Sequence, residues 1–170
     1  SAPLIDSVIK HKVLKDCFYI IGIAGTQYRR LLVQRYIGEG ARFASLVHCT
    51  AYISSSATIG EGTIIGPNSN IGPNVCIGKY TLINSRCSLG HDTIVGDYNI
   101  LSPNTCLSGF TKVGDENLIG INCATIPGII IGDRNKIAAG MIVDNNVGDD
   151  SVVFYRYKER IIAVPKRNND

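Results

Sequence analysis

The sequence predicts a mainly β protein, a parallel β-solenoid, and three observations carry that prediction. The first is a period of six. Steps of six from Ile53 reach Ile59, Ile65, Ile71, Ile77, Ile83, Leu89, Val95, Leu101, Leu107, Val113, Ile119, Thr125, Ile131, Ile137 and Val143. All are aliphatic except Thr125. The second is that Gly often follows, as at 60, 66, 72, 78, 90, 96, 114, 120 and 132. The third is a small side chain two residues earlier, as at Ala57, Thr63, Ser69, Thr81, Cys87, Thr93, Thr105, Thr111 and Cys123.

A period of six fits neither the 3.6 of an α-helix nor simple strand alternation. Each hexad makes one short strand and a turn, and three hexads close a triangular coil of about 18 residues. The aliphatics point into the prism, and the small residues let the chain turn the corner. Between 53 and 143 no hexad is interrupted, so about five coils stack and bury a continuous column. Coils of this architecture are left-handed, an exception to the right-handed crossover rule.

The flanks read differently. Cys17-Phe18-Tyr19-Ile20-Ile21-Gly22-Ile23 has the pattern of a buried strand. Thr26 is placed to cap a helix over 27–37, with Tyr28, Leu31, Leu32, Arg35 and Tyr36 on one stripe and Gly38 and Gly40 as stops. Phe43-Ala44-Ser45-Leu46-Val47 resumes a strand, which makes one βαβ-like unit. GIAGT is not a GxGxxG phosphate fingerprint. After 143 the repeat is expected to stop. Ser151 to Tyr157 and Arg160 to Val164 read as a hairpin around Lys158-Glu159, and 165–170 as a tail. The expected regions are therefore a partial α/β unit over 1–49, the β-helix over 50–146, and a C-terminal hairpin and tail over 147–170.

Composition removes several function classes. A net charge of +3 with no basic run gives no footprint for nucleic acid. No apolar stretch nears the roughly 20 residues that span a bilayer, and no signal peptide is expected. The six cysteines are scattered, with no CxxC pair, as expected of reduced cytosolic thiols.

The repeat and its prefix resemble the left-handed β-helix acetyltransferases of bacterial surface-sugar synthesis. These include the bacillosamine and perosamine N-acetyltransferases and the sialic acid O-acetyltransferase group. The resemblance rests on Ile21-Gly22 through Arg29 and Arg30, then FASLVHCTAYISSSATIGEGTII, GHDTIVGDYNILSPNTCLSG and IGINCATIPGIIIGD, over about residues 17–143. It implies acetyl-CoA as co-substrate, a nucleotide-linked amino sugar as acceptor, a homotrimer with donor sites between subunits, and no metal. By residue match it assigns His91 as general base, Asp92 as its partner, and Gly109, Ile121, Ala139 and Gly140 as contacts of the acyl donor. This sequence departs from the family in three places. It lacks the earlier Gly-rich βαβ, it has Ile100 where a second histidine stands nine residues after the first, and Phe154-Tyr155-Arg156-Tyr157 replaces a closing GNPA-like motif.

The residues support the assignment by type. Acetyl transfer from a thioester to an amine needs a base near neutral pH, and histidine, with an ordinary pKa of about 6.5, suits the task. An adjacent carboxylate stabilises its protonated form. Stacking by 18 puts His91 over Gly109 and under Pro73, where the missing side chain would let a donor arm approach the backbone. His48 reads as a junction residue and Asp97 as a turn residue. Arg156, Lys158 and Arg160 read either as coenzyme A phosphate contacts or as the solvated face of the hairpin.

Three further functions fit the scaffold. O-acetylation of a sugar hydroxyl would use the same histidine. A γ-type carbonic anhydrase would need three zinc-binding histidines, yet of His11, His48 and His91 only one lies in the repeat from 53 onward. A structural β-helix without catalysis would need neither His91 nor Asp92.

Overall fold

A computed structural model describes residues 7–155. Its dominant body is a parallel β-solenoid with three faces. The first face, in chain order, carries seven strands, from Leu46–Val47 through Ile64–Ile65, Leu82–Ile83, Ile100–Leu101, Leu118–Ile119 and Lys136–Ile137 to Val152–Val153. The second carries six, from Tyr52–Ile53 to Ile142–Val143, and the third five, from Thr58–Ile59 to Ile130–Ile131. Register advances by one coil per strand, as in Leu89 opposite Leu107 and Ile100 opposite Leu118.

The column of hexad aliphatics is the core: Ile65, Ile71, Ile77, Ile83, Leu89, Val95, Leu101, Leu107, Val113, Ile119, Ile131, Ile137 and Val143 are all buried. Thr125, the one break in the row, is also buried. Its hydroxyl accepts from Ser108 N–H (3.0 Å) and lies 2.9 Å from Thr111 Oγ1, so its polarity is satisfied inside. The small residues that precede the aliphatics do more than save space. Thr63, Ser69 and Thr81 donate their hydroxyls to the carbonyls of Gly78, Asn84 and Gly96 in the next coil. Cys87 and Cys123 place thiols on Ser102 and Ala138 carbonyls in the same way. Burial pushes the Cys87 thiol up to about 11, which leaves it inert.

From Gly62 to Gly140 each corner turns through one residue in the left-handed region. The series includes Gly62, Asn68, Asn74, Tyr80, Arg86, Asp92, Tyr98, Asn104, Phe110, Glu116, Asn122 and Arg134. Asn, Asp and Gly tolerate this geometry; the aromatic residues are unusual there.

The solenoid begins one hexad earlier than 53 and makes about six turns, one more than the hexads from 53 to 143 suggest. Nor does it stop at 143. It drops two residues, so that Val147 bridges Ile131 and Val152–Val153 pairs parallel with Lys136–Ile137. Val152–Val153, expected in a hairpin arm, is therefore a coil strand. The shortened spacing broke the period of six and hid it. The second expected arm and Arg156, Lys158 and Arg160 lie outside the described residues.

The N-terminal unit is a βαβ, as expected: β1 (Phe18–Tyr19), α1 (Thr26–Gly38) and β2 (Arg42–Phe43), with β1 and β2 parallel. Its details differ from the sequence pattern. Gly25, not Thr26, is the N-cap, and no side chain caps the helix. The expected strand over 43–47 is two strands in different sheets, Arg42–Phe43 and Leu46–Val47. The run from Cys17 yields only two strand residues, with Phe18 exposed. The buried helix stripe is Arg29, Val33 and Tyr36, whereas Tyr28 and Leu31 face solvent. An arginine goes inside because it finds carbonyls there. Arg29 is 0% exposed, and its guanidinium donates to the carbonyls of Tyr80, Ile21 and Ile23. Burial lowers its pKa to about 10, so it remains a cation at neutral pH.

Helix α1 lies against the first face. Arg30 pairs with Glu116, and Gly25, Thr26, Gln27 and Tyr28 flank Leu118 and Lys136. Ile100, on the outward side of its strand, is only 2% exposed. A half-open pocket of about 230 Å³ lies on the N-terminal unit, against Val8, His11, Tyr19, Ile23, Leu32 and Phe43. Among the described residues no helix is long and apolar enough to cross a membrane.

Candidate active site

His91 sits on the corner between the second and third faces, after strand Ser88–Leu89 and before Ile94–Val95. The corner shape comes from Asp92, which holds φ 58, a geometry that aspartate accepts more readily than most residues. The turn brings the two side chains together. His91 Nδ1 lies 2.9 Å from Asp92 Oδ2, the arrangement of a ring N–H donated to a carboxylate. That tautomer leaves Nε2 free to accept a proton. The hydrogen bond to His91, then one from Asn74, hold the Asp92 carboxyl below the usual carboxylate range.

Gly109, one coil on, explains how the imidazole fits. A Cβ there would stand 2.7 Å from His91 Nε2 and 2.8 Å from Cε1. The missing side chain thus makes room for the imidazole itself. Phe110 closes the side of the ring, edge to face, with centroids 4.9 Å apart. Asn74 completes the group: its Nδ2 donates to Asp92 Oδ1 at 3.1 Å.

The other expected contacts lie elsewhere. Ile121, Ala139 and Gly140 are exposed on the corner between the first and second faces. One chain brings together His91, Asp92 and Gly109, and does not bring these three to them. Ile100 belongs to the first face, where it is buried, and not to the His91 corner. His48, expected at a junction, follows strand Leu46–Val47, and its Nδ1 accepts from Thr50 N–H at 3.2 Å. Asp97 is one rung of a ladder. The carboxylates of Asp97, Asp115, Asp133 and Asp149 each accept from the backbone N–H of the preceding coil. Gly78, Gly96, Gly114 and Gly132 lack the Cβ that would strike those carboxylates. Among the described residues no three of His, Cys, Asp or Glu gather to hold a metal ion.

Asn74 and Phe110 carry a signal in the sequence: they stand 18 residues before and after Asp92, the spacing of one coil.

Solved structures share this architecture. One is perosamine N-acetyltransferase from Caulobacter crescentus, a His-to-Asn variant in complex with CoA and GDP-perosamine. It superposes with a TM-score of 0.77 at 26% identity, over 78% of this chain and 63% of its own. WeeI from Acinetobacter baumannii AYE gives 0.76 at 26%, over 79% and 66%. The chain shares the fold of the perosamine N-acetyltransferase and of WeeI. The acetyltransferase domain of PglB from Neisseria gonorrhoeae FA1090, in complex with acetyl coenzyme A, shares the fold with a TM-score of 0.76 at 22% identity, over 78% of this chain and 65% of that one. The chain thus spans somewhat less than two thirds of the length of the perosamine enzyme. No protein-family model matches the chain, and no curated protein sequence matches it.

Proposed function

We propose that the protein transfers an acetyl group from acetyl-CoA to the amino group of a nucleotide-linked amino-deoxy sugar. One observation carries the reading: a histidine whose Nδ1 is held by a carboxylate while Nε2 stands free at an exposed corner. Its likeness to a structure with bound CoA and GDP-perosamine supports the choice of substrates.

The chemistry follows from the geometry. The sugar amine attacks the thioester carbonyl, a C–N bond forms, and the carbonyl oxygen takes up charge. His91 Nε2 accepts the amine proton as the bond forms, and Asp92 stabilises the imidazolium. The C–S bond then breaks, and the proton passes to the departing CoA thiolate. Transfer is direct, with no acyl-enzyme. Exposed Ile94 and Phe110 flank the corner and offer apolar contact to a pantetheine arm.

A donor that touches His91 and also Ile121, Ala139 and Gly140 must meet two corners of the prism. A second copy, with its first-to-second corner against the His91 corner of the first, supplies both. Such a contact joins two unlike corners and closes as a ring, so the reading includes a homotrimer.

The test is thiol release from acetyl-CoA against a panel of nucleotide-linked amino sugars and hydroxyl acceptors. His91→Ala is expected to lower turnover on the best acceptor by about 10²–10⁴-fold. Near-normal turnover in that variant would remove His91 as the base. Preference for a hydroxyl acceptor would replace N-acetylation by O-acetylation.

A further inference from the structure

Both carboxylate oxygens of Asp92 are engaged. Oδ2 faces His91 Nδ1 at 2.9 Å, and Oδ1 accepts from Asn74 Nδ2 at 3.1 Å. The amide must present its NH₂ here, because its oxygen would repel the carboxylate. Asn74 is itself held: its backbone N–H donates to Ser56 Oγ at 3.0 Å, and Ser56 Oγ lies 3.2 Å from Ser54 Oγ. A hydrogen-bonded line thus runs up the corner from Ser54 through Ser56, Asn74 and Asp92 to His91.

Similar bonds between stacked corner residues recur elsewhere. Arg86 donates to Asn104, Asn104 to Asn122, and Arg134 to Asp150. Those contacts end in solvated polar groups. Among the described residues, only the Asn74–Asp92 rung continues into a histidine.

We infer that Asn74 is a positioning residue, which acts through Asp92 to fix the tilt and tautomer of His91. An exposed carboxylate with one free oxygen can rotate between rotamers, and the imidazole bonded to it would swing with it. Anchoring Oδ1 from the preceding coil removes that freedom and keeps Nε2 at one point against Gly109. The inference rests on the proposed role of His91 as base.

The experiment compares the parent, Asn74→Ala, Asn74→Asp, Asp92→Ala, the Asn74→Ala/Asp92→Ala pair and His91→Ala by thiol release over a range of pH. Asn74→Ala is expected to lower kcat about tenfold with KM for acetyl-CoA nearly unchanged. Asn74→Asp, nearly isosteric, sets a second negative charge beside the pair, which favours imidazolium. The acid limb of its kcat/KM profile therefore moves to higher pH. In the Asp92→Ala background, Asn74→Ala should have no further effect. Turnover of Asn74→Ala within about twofold of the parent, or an equal loss with and without Asp92, overturns the inference. So does an Asn74→Asp profile that does not move. If His91→Ala is inactive while Asn74→Ala matches the parent, only the role of Asn74 fails. If His91→Ala stays active, the base assignment fails and the role of Asn74 with it.

Discussion

Two corners of the prism share one backbone and do opposite work. The corner between the third and first faces stacks Gly62, Tyr80, Tyr98, Glu116, Arg134 and Asp150. Its tyrosines stack on one another, Phe43 packs edge-on against Tyr80, and Arg30 of α1 pairs with Glu116. The corner between the second and third faces stacks Ser56, Asn74, Asp92, Phe110 and Gly128, and from Asn74 on holds the same left-handed geometry. It is open, and its side chains hold one another and His91 instead of a neighbouring unit. The fold thus supplies identical platforms, and cover alone decides which becomes an interface and which a candidate reaction site.

The largest way to break the contrast is to uncover the covered corner. Arg29 joins α1 and the loop after β1 to Tyr80 through three carbonyls in a dry environment. Arg29→Met leaves those carbonyls unpaired and should destabilise the N-terminal unit by about 3 kcal/mol or more. Hydrogen exchange reads the outcome by region. The amides of α1 should exchange faster while those of the central solenoid strands stay protected. Equal acceleration in both regions would mean that the units melt together.

A second comparison uses the aromatic residues forced to positive φ. Tyr80 (φ 53) is buried, and Phe110 (φ 61) is 56% exposed. Asn accepts this geometry more readily, so the substitution relieves about 1 kcal/mol of backbone strain at either place. At Tyr80 the lost ring leaves a cavity, and Tyr80→Asn should be destabilising by about 2–4 kcal/mol net. At Phe110 little burial is lost, so Phe110→Asn should raise the melting temperature while turnover falls as the imidazole loses its side wall. A drop in melting temperature at Phe110 would show that its contact with His91 outweighs the strain.

At the open corner, Gly109→Ala tests whether the glycine serves His91. The new Cβ would meet the imidazole at 2.7 Å, so the ring must move. Displacement by a few tenths of an ångström or more should lower kcat about tenfold or more. Unchanged kcat would mean that the imidazole does not rest where the structure places it during the reaction.

The period of six made the solenoid legible because every coil repeats one contact: an aliphatic stacked on an aliphatic. His91 was legible for the inverse reason, as a residue the packing rule does not use. What remained hidden depends on pairs far apart in sequence. Nothing local marks Arg29 as buried, since the carbonyl of Tyr80 that receives it lies in the solenoid, 51 residues away. The coil after Val143 escaped because losing two residues between 143 and 147 shifts the phase of the pattern while the ladder itself closes again. Asn74 and Phe110 were within reach of the same stacking rule that placed His91 over Gly109.

Acid and alkali should unmake the two corners separately, with the smallest effects of the set. Asp92 has a folded pKa below its unfolded value of about 3.9, through His91 and then Asn74. Its contribution is therefore present above about pH 4 and is lost as pH falls through the lower folded value. Tyr80 is pushed up to about 12, chiefly by burial and next by Glu61. An unfolded tyrosine ionises near 10, so the contribution of Tyr80 is intact below about pH 10 and is lost as pH rises towards 12. Between about pH 10 and 12 the exchange protection of α1 should fall while the geometry of His91 and Asp92 holds. The carboxyl ¹³C resonance of Asp92 reads the other end. Its midpoint should lie below that of an ordinary aspartate and move upward in Asn74→Ala, which removes one of the two hydrogen bonds that hold it down. A midpoint that does not move would leave His91 as the sole partner that matters to this carboxylate, and the open corner would then be a pair and not a line.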